Sequence, residues 1–125
     1  MEEKKKILIV EDEETMLHAL SEKFTQEGFE VTQASDGEEA LKIVLSKDID
    51  LVLLDIILPK MDGMTMLKKM RESDKDTPVI LLTNLDYSVG VAKAIEAGAY
   101  DYLLKTDWSL EDVVKKVKDK FEKDK

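Results

Sequence analysis

Three short, uninterrupted apolar runs stand out along the chain, at Ile7–Val10, Leu51–Leu54 and Val79–Leu82. Each consists mostly of Val, Ile and Leu and is bounded by charged or turn residues, which is typical of strands covered on both faces of a parallel sheet. Phe29–Ala34 and Asp101–Leu104 are weaker strand candidates, and the first mixes polar with apolar residues as an edge strand does. The pattern therefore predicts five strands.

A segment with helical spacing follows each predicted strand. The first of these helices ends near Gly28, and the second begins at Asp36, an N-cap residue with an acid at the third helical position after it. The third is centred on the apolar positions after Met64, the fourth runs from Val89 to Ala97, and the fifth begins at the cap residue Ser109. Strand and helix thus alternate five times.

This alternation predicts a single α/β domain over residues 1–125, folded as a doubly wound (βα)5 sandwich with right-handed crossovers and without an output domain.

Composition narrows the functional classes. The absence of cysteine excludes disulfides and thiolate metal sites and fits a cytoplasmic location. A net charge of −9 argues against direct nucleic-acid binding. No apolar stretch approaches the roughly 18 residues that a membrane span needs, so we expect no membrane association.

Polar side chains with complementary chemistry follow the predicted strands. They are Glu11 and Asp12, Asp55, Thr83 and Asn84, and Lys105. In a doubly wound sheet, ligands bind beyond the carboxyl ends of the strands, so we expect these side chains to meet at one edge. Clustered carboxylates repel one another unless a cation compensates, and with oxygen ligands alone Mg²⁺ is the expected ion. Lys105 supplies a positive charge for a tetrahedral anion and Thr83 a hydroxyl donor, which suits phosphoryl transfer to a carboxylate.

Four segments, taken in order, resemble the response-regulator receiver domains, the CheY-like family of two-component signalling. They are Ile7–Glu13, Leu54–Gly63, Leu82–Thr83 and Ala97–Lys105, and the resemblance covers essentially the whole chain. It implies a flavodoxin-like or CheY-like fold whose five parallel strands have the order 2-1-3-4-5. It also implies that Asp55 accepts a phosphoryl group from a histidine kinase or a histidine phosphotransfer protein.

The resemblance further implies a metal site and its ligands. Glu11, Asp12, Asp55 and the backbone carbonyl of Ile57 would hold Mg²⁺, with Mn²⁺ able to take its place. Glu11 would act directly or through a water molecule. The expected cofactor is therefore a hard divalent cation bound next to the phosphoacceptor.

The resemblance also assigns contacts to the phosphoryl group. Ile56 and Asn84 would contact it through their backbone, and Thr83 and Lys105 through their side chains. Thr83 would move towards the phosphoryl group while Tyr102 changes rotamer, which shifts the population between two conformations. The face formed by helix 4, strand 5 and helix 5 would then bind an unknown downstream protein, or a second copy to give a homodimer on phosphorylation.

Three features depart from the usual receiver pattern. Asn84 stands where receivers usually have a small residue, and Thr106 replaces the proline that usually follows the lysine. Ile57 and Leu85 occupy the two positions that tune loss of the phosphoryl group in this family. Because both are apolar and orient an attacking water poorly, our hypothesis is a long-lived phosphorylated state.

Other functions stay open at this point. Asn84 leaves room for a degenerate receiver that binds partners without phosphorylation. A phosphatase resembling the haloacid dehalogenases would need a second aspartate at position 57, where the chain has Ile57. A flavodoxin-like electron carrier would need a Ser/Thr/Gly-rich phosphate loop after the first strand, but the acidic run Glu11–Glu14 lies there.

Overall fold

The computed structural model describes residues 3–83, 92–93, 95–104 and 109–123, with Thr83 and Leu104 described by their backbone. Five strands form one parallel sheet in the order β2-β1-β3-β4-β5. They are β1 (Lys6–Val10), β2 (Glu30–Ala34), β3 (Leu51–Asp55), β4 (Val79–Thr83) and β5 (Asp101–Leu104). The predicted sheet and its strand order are confirmed, and every predicted strand agrees with the structure to within a residue at each end.

Four helices are bounded within the described residues. They are α1 (Glu14–Gln26), α2 (Gly37–Ser46), α3 (Gly63–Ser73) and the C-terminal helix (Leu110–Lys123). Of the fourth predicted helix, Val89–Ala97, a large part lies outside the described residues. Its last turn is described by a bond from the amide of Ala97 to the carbonyl of Lys93, 2.9 Å long.

Carboxylate side chains cap the first three helices. The side chain of Glu13 accepts a hydrogen bond from the amide of Met16 at 3.0 Å. Asp36 accepts one from the amide of Glu39 at 2.8 Å, which confirms the predicted N-cap of α2. Asp62 caps α3 in the same way. These caps satisfy amides that have no partner inside the helix.

Side chains of the central strands alternate between two buried layers. On one face, Leu8, Val10, Val52, Leu54, Val79 and Leu81 pack with residues of α2 and α3. On the other face, Ile7, Ile9, Leu51, Leu53, Ile80 and Leu82 pack with residues of α1 and the C-terminal helix. Burial on both faces explains why these strands read as continuous apolar runs. The structure therefore confirms the doubly wound sandwich. In the part of the chain that the structure describes, no helix has the length and apolar character of a membrane span.

The guanidinium of Arg71, near the end of α3, joins two backbone segments, the α3–β4 connection and the turn before β5. It donates to the carbonyl of Gly98 from Nε at 3.1 Å and from Nη2 at 2.8 Å. It also donates to the carbonyl of Asp74 at 3.0 Å and to that of Thr77 at 2.7 Å. Burial lowers the pKa of Arg71, while the carboxylates of Asp74 and Asp76 oppose the shift. The planar guanidinium thus holds the segments that lead into β4 and into β5 against α3.

Arg71→Lys is expected to destabilise the domain by about 2 kcal/mol, because one ammonium group cannot replace the planar guanidinium and part-buried carbonyls lose their donors. The free energy of unfolding in urea measures the loss. Lys69→Arg, at an exposed position of the same helix, is the matched control and is expected to change stability by less than about 0.5 kcal/mol. Equal effects of the two substitutions would show that the Arg71 contacts contribute little.

Candidate functional site

The register of the sheet brings several strand ends to one edge. Val10 pairs with Leu54, so Glu11 and Asp55, the residues that follow them, leave adjacent strands at the same level. Asp55 itself pairs with Leu82 of β4. The carboxyl ends of the central strands therefore place the acidic residues side by side, at the edge where doubly wound sheets bind ligands.

Three carboxylates meet at this edge. Glu11, Asp12 and Asp55 each offer an oxygen, and these oxygens lie within 4.8 Å of one another. Glu11 is fully buried and Asp55 is only 5% exposed, whereas Asp12 is exposed. A donor set made only of carboxylate oxygens suits a hard divalent cation, so these residues fit the predicted metal. The exposed Asp12 leaves the cluster accessible from solvent.

Backbone amides orient two of these carboxylates. The amide of Ile57 donates to Oδ1 of Asp55 at 3.2 Å, and the amide of Glu13 donates to Oε2 of Glu11 at 3.3 Å. The amide of Glu11 in turn donates to the carbonyl of Ala34 at the end of β2, 3.1 Å away. The loops after β1 and β3 therefore hold the acidic side chains through their own backbone.

The loop between β3 and α3, residues 56–62, is closed by short backbone hydrogen bonds. The amide of Met61 donates to the carbonyl of Pro59, and the amide of Gly63 donates to the carbonyl of Ile56, each at 2.7 Å. Lys60 has a φ of 66°, in the left-handed region that non-glycine residues seldom adopt. This folding of the loop turns the amide of Ile57 towards Asp55.

The structure describes only some of the remaining predicted site residues. Thr83 is the last residue of β4 and pairs with Leu104 of β5, so its backbone lies at the same edge as Asp55. Asn84 and Lys105 lie outside the described residues, as do Leu85 and Thr106. Tyr102 in β5 is half-buried and packs against the core layer of α2 and α3.

Residues that sequence analysis did not single out also shape the site. Gly37 and Gly63, each the first residue of a helix, are buried against the backbone of the β3–α3 loop and its flanking residue Asp55. Both follow an aspartate that caps the helix. In the sequence, the pairs Asp36-Gly37 and Asp62-Gly63 indicate only turn and cap chemistry, because close approach of a distant backbone has no local signature.

A family comparison agrees with this geometry. The sequence model of the family described as the response regulator receiver domain matches residues 7–118. The chain belongs to this family. Membership of this family, rather than the fold, argues against a haloacid dehalogenase-like phosphatase and a flavodoxin-like electron carrier, and a degenerate receiver is not favoured.

Individual relatives show the same likeness. The alkaline phosphatase synthesis transcriptional regulatory protein PhoP of Bacillus subtilis is 41% identical over 101 residues, which cover 81% of this chain and 42% of PhoP. The receiver domain of the Francisella response regulator 1452 superposes with a TM-score of 0.90 at 30% identity, covering 97% of this chain and 99% of that one.

A third relative was solved as a complex. The response regulator TrrA of Thermotoga maritima, in complex with Mg(2+)-BeF, superposes with a TM-score of 0.82 at 35% identity, covering 92% of this chain and 97% of TrrA. The receiver domain here thus matches isolated receiver structures along nearly their whole length. The chain spans less than half the length of curated relatives such as PhoP.

Proposed function

We propose that this receiver domain accepts a phosphoryl group on Asp55 in a Mg²⁺-dependent reaction. The observation that carries the proposal is the cluster of Glu11, Asp12 and Asp55, whose carboxylate oxygens lie within 4.8 Å of one another at the carboxyl edge of the sheet. Asp55 is central to it because its side chain is 5% exposed and is oriented by the amide of Ile57. A buried, oriented carboxylate is suited to be the nucleophile.

In the proposed reaction, an oxygen of the Asp55 carboxylate attacks the phosphorus of the donor. The bond from phosphorus to the donor's leaving atom breaks, which gives an acyl phosphate on Asp55. With a phosphohistidine donor the leaving atom is an imidazole nitrogen, and with acetyl phosphate it is a carboxylate oxygen. The amide of Ile57 keeps the nucleophile in place during the attack.

The metal site of the proposal consists of Glu11, Asp12, Asp55 and the backbone carbonyl of Ile57. Mg²⁺, or Mn²⁺ in its place, would neutralise the negative charge shared by these acids and the incoming phosphoryl oxygens. Three closely spaced carboxylates supply the oxygen ligands that such an ion prefers. The Mg(2+)-BeF complex of TrrA supports this choice of ion.

The response to phosphorylation completes the proposal. The backbones of Ile56 and Asn84 and the side chains of Thr83 and Lys105 contact the phosphoryl group. Thr83 and Tyr102 then switch the face formed by the fourth predicted helix, β5 and the C-terminal helix. The position of Thr83 at the end of β4, beside Asp55 on the neighbouring strand, supports its part in the switch.

Receiver domains interact with histidine kinases and downstream effectors. For this chain we propose a histidine kinase or histidine phosphotransfer protein as the donor and a downstream protein, or a second copy, at the switched face. Residues 1–125 act in the cytoplasm as one receiver domain, without themselves contacting nucleic acid. The relatives are transcriptional regulators, and any such activity of a whole regulator would depend on residues beyond a receiver domain.

Incubation with acetyl phosphate, followed by intact mass measurement, tests the proposal. With Mg²⁺ we expect one added phosphoryl group that hydroxylamine removes, and with excess EDTA we expect none. Borohydride reduction and peptide mapping are expected to place the adduct at Asp55. The decay of the adduct tests the hypothesis of a long-lived phosphorylated state. A folded domain that binds Mg²⁺ but accepts no phosphoryl group, from acetyl phosphate or from a kinase, would instead support the degenerate receiver.

A further inference from the structure

The N-terminus of α2 lies against the loop that carries the proposed phosphoacceptor. A Cβ built at Gly37 would overlap the carbonyl oxygen of Met61 and lie 2.8 Å from its carbonyl carbon. Gly37 is buried, so no open space receives a side chain there. Met61 belongs to the β3–α3 loop, far along the sequence. Only glycine at position 37 permits this approach of the two backbones.

A second contact joins the same two segments. The carboxylate of Asp36 caps α2 through Oδ1, which accepts from the amide of Glu39 at 2.8 Å. Its other oxygen, Oδ2, lies 3.7 Å from Nζ of Lys60, the loop residue with the left-handed φ of 66°. The cap of α2 thus also faces the most strained residue of the loop. Asp36 and Gly37, at the N-terminus of α2, therefore lie against residues 60 and 61 of the loop.

The other side of the loop is equally confined. The amide of Gly63 donates to the carbonyl of Ile56 at 2.7 Å, and a Cβ at Gly63 would lie 2.8 Å from Cα of Ile56. The loop is therefore held between the first residues of α2 and of α3. Because it is short and internally bonded, a displacement at Met61 is transmitted to Ile57, whose amide orients Asp55.

We propose that Gly37 is a positioning residue for phosphorylation. Because it has no side chain, the Met61 carbonyl can lie directly against the N-terminus of α2, and this contact determines where the Ile57 amide holds the Asp55 carboxylate. This inference rests on the proposed phosphorylation of Asp55. Gly37 touches neither the carboxylate nor the donor, so its effect passes entirely through the loop. The geometry of the nucleophile then depends on a helix that contributes no side chain to the acidic cluster.

The test is the rate of phosphorylation by acetyl phosphate at saturating Mg²⁺, expressed per folded molecule, with folding checked by circular dichroism. Gly37→Ala is expected to lower this rate about tenfold, because a nucleophile displaced by a fraction of an ångström reacts far more slowly. Gly28→Ala is the matched control. Gly28 has a positive φ of 94° but nothing within 4 Å of a built Cβ, so that variant is strained without touching the loop. We expect it to react at the wild-type rate.

A second substitution distinguishes positioning from general damage. Lys60→Gly removes the cost of the left-handed conformation and lets the loop yield, so in the Gly37→Ala background it is expected to recover the rate about threefold. The amide cross-peak of Ile57 in a ¹⁵N–¹H spectrum is expected to shift in Gly37→Ala and to stay in place in Gly28→Ala. If Gly37→Ala does not fold, the double variant is compared with Lys60→Gly alone, and a rate about threefold lower is expected.

Equal rates for Gly37→Ala and Gly28→Ala would overturn the inference, and so would a lower rate in Gly37→Ala with an unmoved Ile57 cross-peak. Where Gly37→Ala does not fold, a double variant that reacts as fast as Lys60→Gly would overturn it. Failure of the proposed function has a different signature, since the wild-type domain would then form no adduct at Asp55. The wild-type reaction therefore has to be established before the variants are compared, and each outcome is assigned to one hypothesis alone.

Discussion

Asp55→Asn is expected to abolish the phosphoryl adduct completely. The substitution keeps the shape of the side chain, which is 5% exposed, but replaces the nucleophilic carboxylate oxygen by an amide. It also removes one of the three carboxylates that lie within 4.8 Å of one another, so the metal site loses a charged ligand at the same time. Both losses act on the same step, because in the proposed reaction the nucleophile is also a metal ligand. Intact mass after incubation with acetyl phosphate and saturating Mg²⁺ measures the result.

Asp62→Asn provides the matched control for this prediction. Asp62 is the last residue of the loop that follows Asp55, and it caps α3 by accepting a hydrogen bond from the amide of Thr65 at 2.9 Å. Asparagine caps helices about as well as aspartate, so Asp62→Asn is expected to form the adduct as the wild type does. An adduct of undiminished yield in Asp55→Asn would assign the phosphoryl group to another carboxylate and remove Asp55 from its proposed role. Loss of the adduct in both variants would show that replacing either aspartate blocks the reaction, which would also contradict a specific role of Asp55 as the nucleophile.

The elements of the fold were predictable because burial on both faces leaves a strong signature. β1, β3 and β4 lie in the middle of the sheet, so their side chains are apolar in unbroken runs. The strand order was not predictable from those runs, since similar apolar strands can be arranged in several ways, and it came from the resemblance to receiver domains. The start of β2 shows a smaller difference. Phe29 precedes the strand and packs against Phe24, with ring centroids 5.3 Å apart.

The candidate site was predictable in part for a geometric reason. In a parallel sheet all carboxyl ends face one edge, so acids after β1 and β3 must converge, and Glu11, Asp12 and Asp55 do so. The supports of the site were not predictable. Arg71 binds carbonyls of residues up to 27 positions away, and Gly37 and Gly63 are required by a close backbone approach. Such contacts depend on the assembled fold, and a local sequence pattern carries no trace of them.

Gly63→Ala is expected to destabilise the domain by about 3 kcal/mol or more, because added volume in a close-packed region forces the backbone to shift. A Cβ at this position would overlap the carbonyl oxygen of Asp55 and lie 2.8 Å from Cα of Ile56. Both neighbours are backbone atoms of β3 and the residue after it, and neither can rotate out of the way. The free energy of unfolding in urea measures the cost, which is a large share of the 5–15 kcal/mol that typically stabilises a domain.

Gly28→Ala separates the two reasons for which this chain needs glycine. At Gly28 a Cβ meets nothing within 4 Å, but φ is 94°, so alanine is expected to cost about 1 kcal/mol through backbone strain alone. At Gly63 the cost arises from overlap with the backbone of Asp55, the proposed phosphoacceptor, at the end of β3. If both variants lose the same stability, the overlap at Gly63 costs no more than the backbone strain at Gly28, and the loop is not confined there. A markedly larger loss for Gly63→Ala would mean that α3 presses directly on the main chain of Asp55, so that packing and placement of the nucleophile depend on the same contact.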